Sequence, residues 1–192
     1  MSWKFELIDG PYGGVTEGPA WDGSGLLFTL FSHTPTPPSC ILRYDPKTQS
    51  SSIFRSSVKR ANGLMLNSDG ELYACEGGAR RVVRYERDGS TTVLADKFNG
   101  LRLNIPNDLA IDLDGRVWFT DPYYQGAGGP WSQDLAHKDL DHDSVYRLDP
   151  KSDGSWSINR VAFDTTRPNG LLFSLDHKTL YVAQSDRGSD TL

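Results

Sequence analysis

An all-β protein built from repeated sheets is predicted here by three features of the sequence. Four segments begin alike, with one polar residue followed by small and apolar residues. Short apolar runs alternate with turn residues along the chain, and no segment sustains the 3.6-residue period of a helix. The four similar segments begin at Glu17, Asn62, Asn107 and Asn169, so that successive units start 45, 45 and 62 residues apart. A period of about 40–50 residues in a chain of strands is typical of a β-propeller.

Each unit is predicted to be an antiparallel meander of four strands, which is the blade of a propeller. Turns such as Asp69-Gly70 and Asp114-Gly115 join the first two strands, because glycine supplies the positive φ that a tight hairpin turn requires. The predicted strands cover residues 17–21, 26–29, 41–46 and 51–54 in the first unit, 64–66, 71–75, 82–87 and 91–94 in the second, 109–111, 117–120, 145–150 and 156–161 in the third, and 169–173 and 180–182 in the fourth.

The fourth unit stops after two strands, so the chain supplies about three and a half blades. We expect residues 1–192 to form a single partial β-propeller domain, truncated relative to a closed ring of about 4–8 blades. Residues 3–8 are predicted to be a strand that would complete a last blade. The open edges of such a partial ring would favour aggregation.

The third unit carries its extra length at residues 121–143, a stretch rich in glycine, aspartate and aromatic residues. Long loops in compact domains are often lids or binding loops. A solvated surface loop is an equally good interpretation, and the sequence leaves both open. Residues 139–143 alternate carboxylates but lack the glycine and the closing glutamate of an EF-hand, which favours a solvated acidic loop.

Composition and charge exclude several classes of function. The net charge of −5 gives no basic surface for nucleic acid, and no segment approaches 18 consecutive apolar residues, so we expect neither a nucleic-acid partner nor a membrane span. The two cysteines make no disulfide framework and no zinc-binding spacing. The first residues lack the pattern of a signal peptide, from which we expect a cytoplasmic protein. The oligomeric state is left open.

The residues that begin the repeats are the candidate functional site. Equivalent positions of propeller blades converge on one central axis, so Glu17, Asn62, Asn107 and Asn169 should meet in space. One carboxylate and three amides are the oxygen ligands that hard cations prefer. For any single asparagine the plainer interpretation is a turn amide that bonds its own backbone. Four aligned polar residues favour a site.

Other polar residues have two interpretations each. Asp108 either supports the site from behind or satisfies backbone donors at the start of a strand. Asp121 either faces a ligand or caps the turn into Pro122, and Glu76 ends a strand where it could face a substrate. No histidine accompanies a serine or cysteine in a nucleophile motif, so covalent catalysis has no support.

Four motifs occupy residues 17–21, 104–108, 119–122 and 168–171. Together they resemble the gluconolactonase, senescence-marker protein (regucalcin) and luciferin-regenerating enzyme family. A fifth stretch, residues 75–84, is similar to the microbial gluconolactonase branch in particular. The resemblance runs in order along nearly the whole chain.

The resemblance implies a six-bladed β-propeller with one divalent cation at the mouth of its central channel. Glu17 and Asn169 match metal ligands of the family, and Asn107 matches a channel asparagine near metal and substrate. Ca²⁺ is the expected ion, with Zn²⁺, Mg²⁺ and Mn²⁺ as alternatives. The family's remaining ligand, an aspartate that is also its general base, belongs to a Pro-Asp-Gly motif beyond Leu192. The catalytic residue is therefore unknown in this chain.

The function that the resemblance implies is metal-dependent hydrolysis of a sugar lactone, with a small aldonolactone as the partner molecule. Glu17, Asn107 and Asn169 are the expected metal ligands, and Asn62, Asn107, Glu76 and Asp121 the expected substrate-binding residues. The alternative is a non-catalytic propeller that serves as a ligand-binding or interaction platform, which the missing general base would favour.

Overall fold

The computed structural model describes residues 3–32 and 38–185. The described chain folds into antiparallel sheets that follow one another in sequence, each a meander of neighbouring strands. Three of these sheets have four strands, and the sheet at the end of the described chain has two. The predicted all-β propeller architecture of about three and a half blades is therefore confirmed.

The strands are numbered in chain order, and the first strands of successive blades contact one another at the inner side of the ring. The first blade comprises β1 (Val15–Trp21), β2 (Leu26–Phe31), β3 (Cys40–Asp45) and β4 (Ser50–Arg55); the second, β5 (Ala61–Leu66), β6 (Leu72–Glu76), β7 (Arg81–Tyr85) and β8 (Thr91–Ala95); a small hairpin follows, β9 (Lys97–Phe98) and β10 (Leu101–Arg102); the third blade comprises β11 (Leu109–Ile111), β12 (Val117–Asp121), β13 (Ser144–Pro150) and β14 (Trp156–Ala162); and the half blade, β15 (Pro168–Phe173) and β16 (Leu180–Gln184).

Two details differ from the prediction. The β9–β10 hairpin was not expected, although its turn, Asn99-Gly100 with φ of 51° and 82°, is a strong hairpin signal. Residues 3–8 form no strand, because the described chain places no neighbouring strand beside them to take up their backbone hydrogen bonds. The described helices are three short 3₁₀ turns, at Gly77–Ala79, Pro130–Gln133 and Leu135–His137.

The apolar cores lie between neighbouring blades. Leu27 of the first blade belongs with Val83 of the second to one buried cluster. Tyr73 of the second blade belongs with Phe119 and Tyr146 of the third to another, in which the two aromatic rings of the third blade stack with centroids 5.4 Å apart. Because each core is shared by two blades, packing fixes the position of one blade against the next.

Candidate functional site

The four repeat-start residues line one cavity of about 470 Å³ at the inner side of the blades. Glu17 lies on β1 and Asn62 on β5, whereas Asn107 immediately precedes the third blade and Asn169 lies on β15. The juxtaposition predicted from the repeat period is thus present in the fold. Asp108, which follows Asn107, lines the same cavity.

Hydrogen bonds between blades hold the repeat starts side by side. The carbonyl oxygen of each later repeat start accepts a hydrogen bond from the blade before it. The donors are the Thr29 hydroxyl to Asn62 (3.0 Å), the Gly63 amide to Asn107 (2.7 Å) and the Thr120 hydroxyl to Asn169 (2.7 Å). Since Thr29 and Thr120 are both fully buried, these bonds are protected from competition with water.

Glycines follow three of the four repeat starts, and at two of them neighbouring blades approach too closely for a side chain. A Cβ at Gly18 would collide with the Asn62 carbonyl oxygen, and its φ of +56° is also unfavourable for other residues. A Cβ at Gly63 would lie 2.6 Å from the Cα of Asp108 and closer still to its carboxylate. Gly18 and Gly63 thus permit the close packing of the blades around the channel.

A β-bulge recurs at the start of the inner strand. The register of β1 against β2 shifts between Glu17 and Ala20, and β5 and β15 shift at the matching places in their blades. Bulges re-aim side chains and are frequent near active sites. Asn62 and Asn169 therefore lie within a bulge and Glu17 lies at the edge of one, whereas β11, which follows Asn107, pairs with β12 in regular register.

Two carboxylates give the cavity its negative character. Burial raises the pKa of Glu17, although a hydrogen bond from the Gly18 amide opposes this. Burial also raises the pKa of Asp108, and the nearby Glu17 charge raises it further. The Asp108 oxygens accept hydrogen bonds from the amides of Leu109 (2.9 Å) and Leu171 (3.2 Å), so Asp108 ties the third blade to the half blade.

Asn169 is oriented by a residue that the sequence analysis did not select. Its side-chain amide donates to the Tyr124 hydroxyl at 3.0 Å, across 45 residues of chain. The Asn169 side chain thus bonds another element instead of its own backbone. Tyr124 belongs to the long insertion of the third blade, and only the aromatic content of that stretch hinted at a role.

Glu76 lies outside this cavity, where it forms a buried ion pair. It is 1% exposed, receives the Arg81 guanidinium at 2.6 Å, and accepts hydrogen bonds from the Tyr85 hydroxyl (2.8 Å) and the Lys59 amide (3.0 Å). With these donors both carboxylate oxygens are occupied. The structure therefore gives Glu76 a role inside the second blade and does not bring it to the repeat starts.

Asp121 is likewise buried and lies outside the cavity. One of its carboxylate oxygens accepts a hydrogen bond from the backbone amide of Asn104 at 2.8 Å, while the other has no hydrogen-bond partner among the described residues. Complete burial raises the pKa of Asp121 to about 8, and the charge of Asp143 acts in the same direction. Asp121 thus supports the base of the long loop, at a distance from the other predicted site residues.

The oxygen atoms that the cavity residues carry are of the type that hard cations prefer. Within the described ranges no three His, Cys, Asp or Glu side chains cluster as metal ligands, so any such site depends on amide oxygens. Glu17 offers a carboxylate and the three asparagines offer neutral oxygens, a donor set that suits Ca²⁺ or Mg²⁺. Burial is the main cause of the raised pKa of Asp108 and the Glu17 charge adds to it, whereas a cation beside the two carboxylates would lower both pKa values.

Comparison with known proteins identifies the family. The family model of the SMP-30/Gluconolactonase/LRE-like region matches residues 15–189 of this chain. The chain belongs to this family. A gluconolactonase of Zymomonas mobilis is 32% identical over 191 residues, covering 92% of this chain and 51% of its own length. A lactonohydrolase of Aspergillus oryzae is 30% identical over 159 residues, covering 77% of this chain and 35% of its own length.

Solved structures agree with this assignment. A gluconolactonase from Xanthomonas campestris superposes with a TM-score of 0.74 at 33% identity, covering 90% of this chain and 55% of its own. A streptogramin B lyase at 15% identity and a TM-score of 0.59 shares the fold alone. The chain spans about half the length of the curated gluconolactonase that it matches. In the part that the structure describes, no helix is long and apolar enough to cross a membrane.

Proposed function

We propose that this protein hydrolyses a sugar lactone and that the repeat-start cavity is its active site. The observation that carries the proposal is the convergence of Glu17 with three asparagines on one cavity, in a chain of the gluconolactonase family. The reaction adds water to the lactone carbonyl and opens the ring to the hydroxy acid. It needs an activated water and stabilisation of the negative charge that develops on the carbonyl oxygen.

In this proposal Glu17, Asn107 and Asn169 hold one divalent cation, most simply Ca²⁺. A bound divalent cation supplies Lewis-acid polarisation of a carbonyl and lowers the pKa of water. Asn62, which lines the same cavity, is placed to hydrogen-bond the hydroxyls of the sugar. Neutral amide ligands leave the cation electron-poor, which favours this chemistry.

A general base is assigned neither to Glu17 nor to Asp108. Glu17 is engaged as the charged ligand, and the Asp108 oxygens already accept two backbone hydrogen bonds. The proposal therefore leaves the proton of the attacking water to the Pro-Asp-Gly aspartate that the family resemblance implies.

The test is a lactonase assay on the full-length protein with glucono-δ-lactone, before and after removal of metal by a chelator. We expect hydrolysis that disappears with the chelator and returns with Ca²⁺, Zn²⁺, Mg²⁺ or Mn²⁺. Glu17→Gln should abolish cation binding and turnover because it removes the charged ligand. Glu86→Gln, the same change at the β7–β8 turn, is the matched control and should retain both.

Two results would overturn the proposal. Hydrolysis that survives both the chelator and Glu17→Gln would mean that the cavity is not the metal-dependent active site. A folded, cation-loaded protein that does not open lactones would mean that the propeller acts as a ligand-binding platform.

A further inference from the structure

The insertion of the third blade contacts a residue of the repeat-start cavity, Asn169, through the hydroxyl of Tyr124. Tyr124 lies three residues after β12, and its hydroxyl is 3.0 Å from the Asn169 side-chain nitrogen on β15. Both side chains are half-buried. The contact is therefore shielded in part from water, and it joins a loop of one blade to the repeat start of the next.

An asparagine amide presents an oxygen on one side of its plane and a nitrogen on the other. When the nitrogen of Asn169 donates to Tyr124, the oxygen is turned away from the tyrosine. Asn169 lines the repeat-start cavity, where an oxygen is useful to a cation and an amide N–H is repelled by it. The hydroxyl is a suitable partner because it accepts the N–H that the cation would reject.

Tyr124 is itself restrained, by its anchored chain neighbour Tyr123 and by Arg167. The neighbouring Tyr123 is buried, with its amide on the Asp143 carboxylate (3.0 Å) and its hydroxyl on the Asp134 carbonyl (2.9 Å). The Arg167 guanidinium lies 5.6 Å from the centre of the Tyr124 ring. A ring restrained in this way offers its hydroxyl at a defined place, which is what orientation of another side chain requires.

We propose that Tyr124 is a positioning residue, which fixes the Asn169 amide so that its oxygen serves the cation of the channel. This inference rests on the proposed function, since it presupposes a cation at the repeat starts. Groups that orient metal ligands typically change metal affinity by about 10–100-fold when they are removed. Tyr124 would act through Asn169 and would not touch the reacting atoms.

The experiment measures the dissociation constant for Ca²⁺ by titration calorimetry on the metal-free, full-length protein, without substrate. Tyr124→Phe keeps the ring and removes only the hydroxyl, and we expect it to weaken Ca²⁺ binding by about 10-fold or more. Tyr73→Phe is the matched control: it loses a tyrosine hydroxyl bonded to Glu71 at 3.3 Å, away from the cavity, and should bind Ca²⁺ as the wild type does.

A second variant separates orientation from general loosening of the loop. Asn169→Asp places an oxygen on both sides of the side-chain plane, so that no partner is needed to choose between them. We expect Tyr124→Phe to cause no further loss of Ca²⁺ affinity when it is combined with Asn169→Asp. The Tyr124→Phe variant should reach the kcat of the wild type when Ca²⁺ is saturating, because the substitution impairs only the occupancy of the cation site.

Each outcome bears on the inference. Wild-type protein that binds no divalent cation overturns it together with the proposed function. Wild-type binding that Tyr124→Phe leaves unchanged overturns the inference alone. If Tyr124→Phe weakens Ca²⁺ binding equally whether residue 169 is Asn or Asp, Tyr124 serves only the general stability of the loop. That result would also overturn the inference.

Discussion

Two glycines that directly follow repeat-start asparagines differ in how closely the neighbouring blade approaches them. Gly63 and Gly170 hold the same place in their repeats, directly after an asparagine, and neither has a positive φ. They differ in space: a Cβ at Gly63 would lie 2.6 Å from the Asp108 Cα, whereas at Gly170 the nearest atom is an Asp108 oxygen at 3.6 Å. Sequence alone makes these two glycines look equivalent.

We predict that Gly63→Ala destabilises the full-length protein by about 1–3 kcal/mol, because backbone atoms must move apart to admit the methyl group. Gly170→Ala is the matched control and should change the free energy of unfolding by less than about 1 kcal/mol. A small stabilisation is also consistent with this expectation, because alanine reduces the conformational freedom of the unfolded chain. Denaturant unfolding of both variants measures this. Equal effects at the two positions would contradict the close approach of the second and third blades.

Asp121 predicts a particular dependence of stability on pH. Below about pH 4 its carboxyl is protonated in both states. Between about pH 4 and its folded pKa of about 8, the unfolded chain releases the proton while the folded protein retains it. Stability present at low pH is therefore lost as pH rises through this range, by up to ~1.4 kcal/mol per pH unit. Arg80 and Lys138 oppose the raised pKa, whereas Asp143 supports it.

Asp121→Asn should remove this loss, since an amide does not ionise. We expect the difference in Tm between the variant and the wild type to grow in favour of the variant from pH 5 to pH 8. Thermal unfolding at a series of pH values provides the measurement. Parallel Tm profiles for the two proteins would show that Asp121 does not remain protonated in the fold.

The candidate site was predictable as far as the repeat reaches. Glu17 and Asn169 could be placed on one axis because equivalent positions of a propeller converge, whatever the intervening sequence. Tyr124 could not be found this way, since it meets Asn169 from an insertion that has no counterpart in the other units. Glu76 lies at the end of a strand on the side of the repeat starts, but its burial and its ion pair with Arg81 depend on contacts that spacing does not reveal.

At the scale of elements, the long loop between β12 and β13 is fastened at its base by Asn104. The buried side-chain amide of Asn104 donates to the carbonyls of Asp121 and His142, each at 3.2 Å. The backbone amide of Asn104 donates to the Asp121 carboxylate. Further along the loop, the Trp131 indole donates to the Gly78 carbonyl at 3.3 Å. The loop therefore contacts the second blade at Gly78 and the half blade at Asn169.

We predict that Asn104→Ala loosens this loop and destabilises the protein by about 1–3 kcal/mol, because two buried carbonyl groups lose their donor. Hydrogen exchange should accelerate in residues 122–143 and remain slow in β5 to β8. Asn159→Ala, which removes a single exposed contact to Asp149, serves as control. Unchanged exchange in the loop would mean that Asn104 does not fasten it.

The strands themselves were predicted closely, because alternating apolar runs and Asp-Gly turns are local signals. The sequence does not decide whether the loop is a lid or a solvated surface segment. Its contacts with Gly78 and Asn169 are made across blades, and such contacts have no local signature in the sequence. The β9–β10 hairpin had such a signature in Asn99-Gly100, and that signal was overlooked.

At the scale of the whole molecule, the blades at the two ends of the described chain carry exposed apolar residues. Trp21 on β1 is 57% exposed, and Leu172 on β15 is 60% exposed although its neighbour Leu171 is buried against the third blade. Successive residues of a strand face opposite sides, so Leu172 faces away from the described blades. Large exposed apolar patches favour association.

We predict that a polypeptide of residues 1–192 alone associates with itself and binds a hydrophobic dye. Leu172→Ser should reduce both effects. Leu113→Ser, at a turn where the leucine is 79% exposed, is the matched control and should not. Size-exclusion chromatography with dye fluorescence would decide, and a monomer that binds no dye would contradict the account of these end faces.

In the proposed function, the residues which open the repeats hold one cation in the channel. Anomalous diffraction from crystals of the full-length protein grown with Ca²⁺ would locate this ion without an activity assay. We predict a single strong peak in the repeat-start cavity, about 2.3–2.6 Å from oxygens of Glu17 and Asn169. A cavity without a peak, or an ion bound elsewhere while Glu17 and Asn169 coordinate nothing, would contradict the claim.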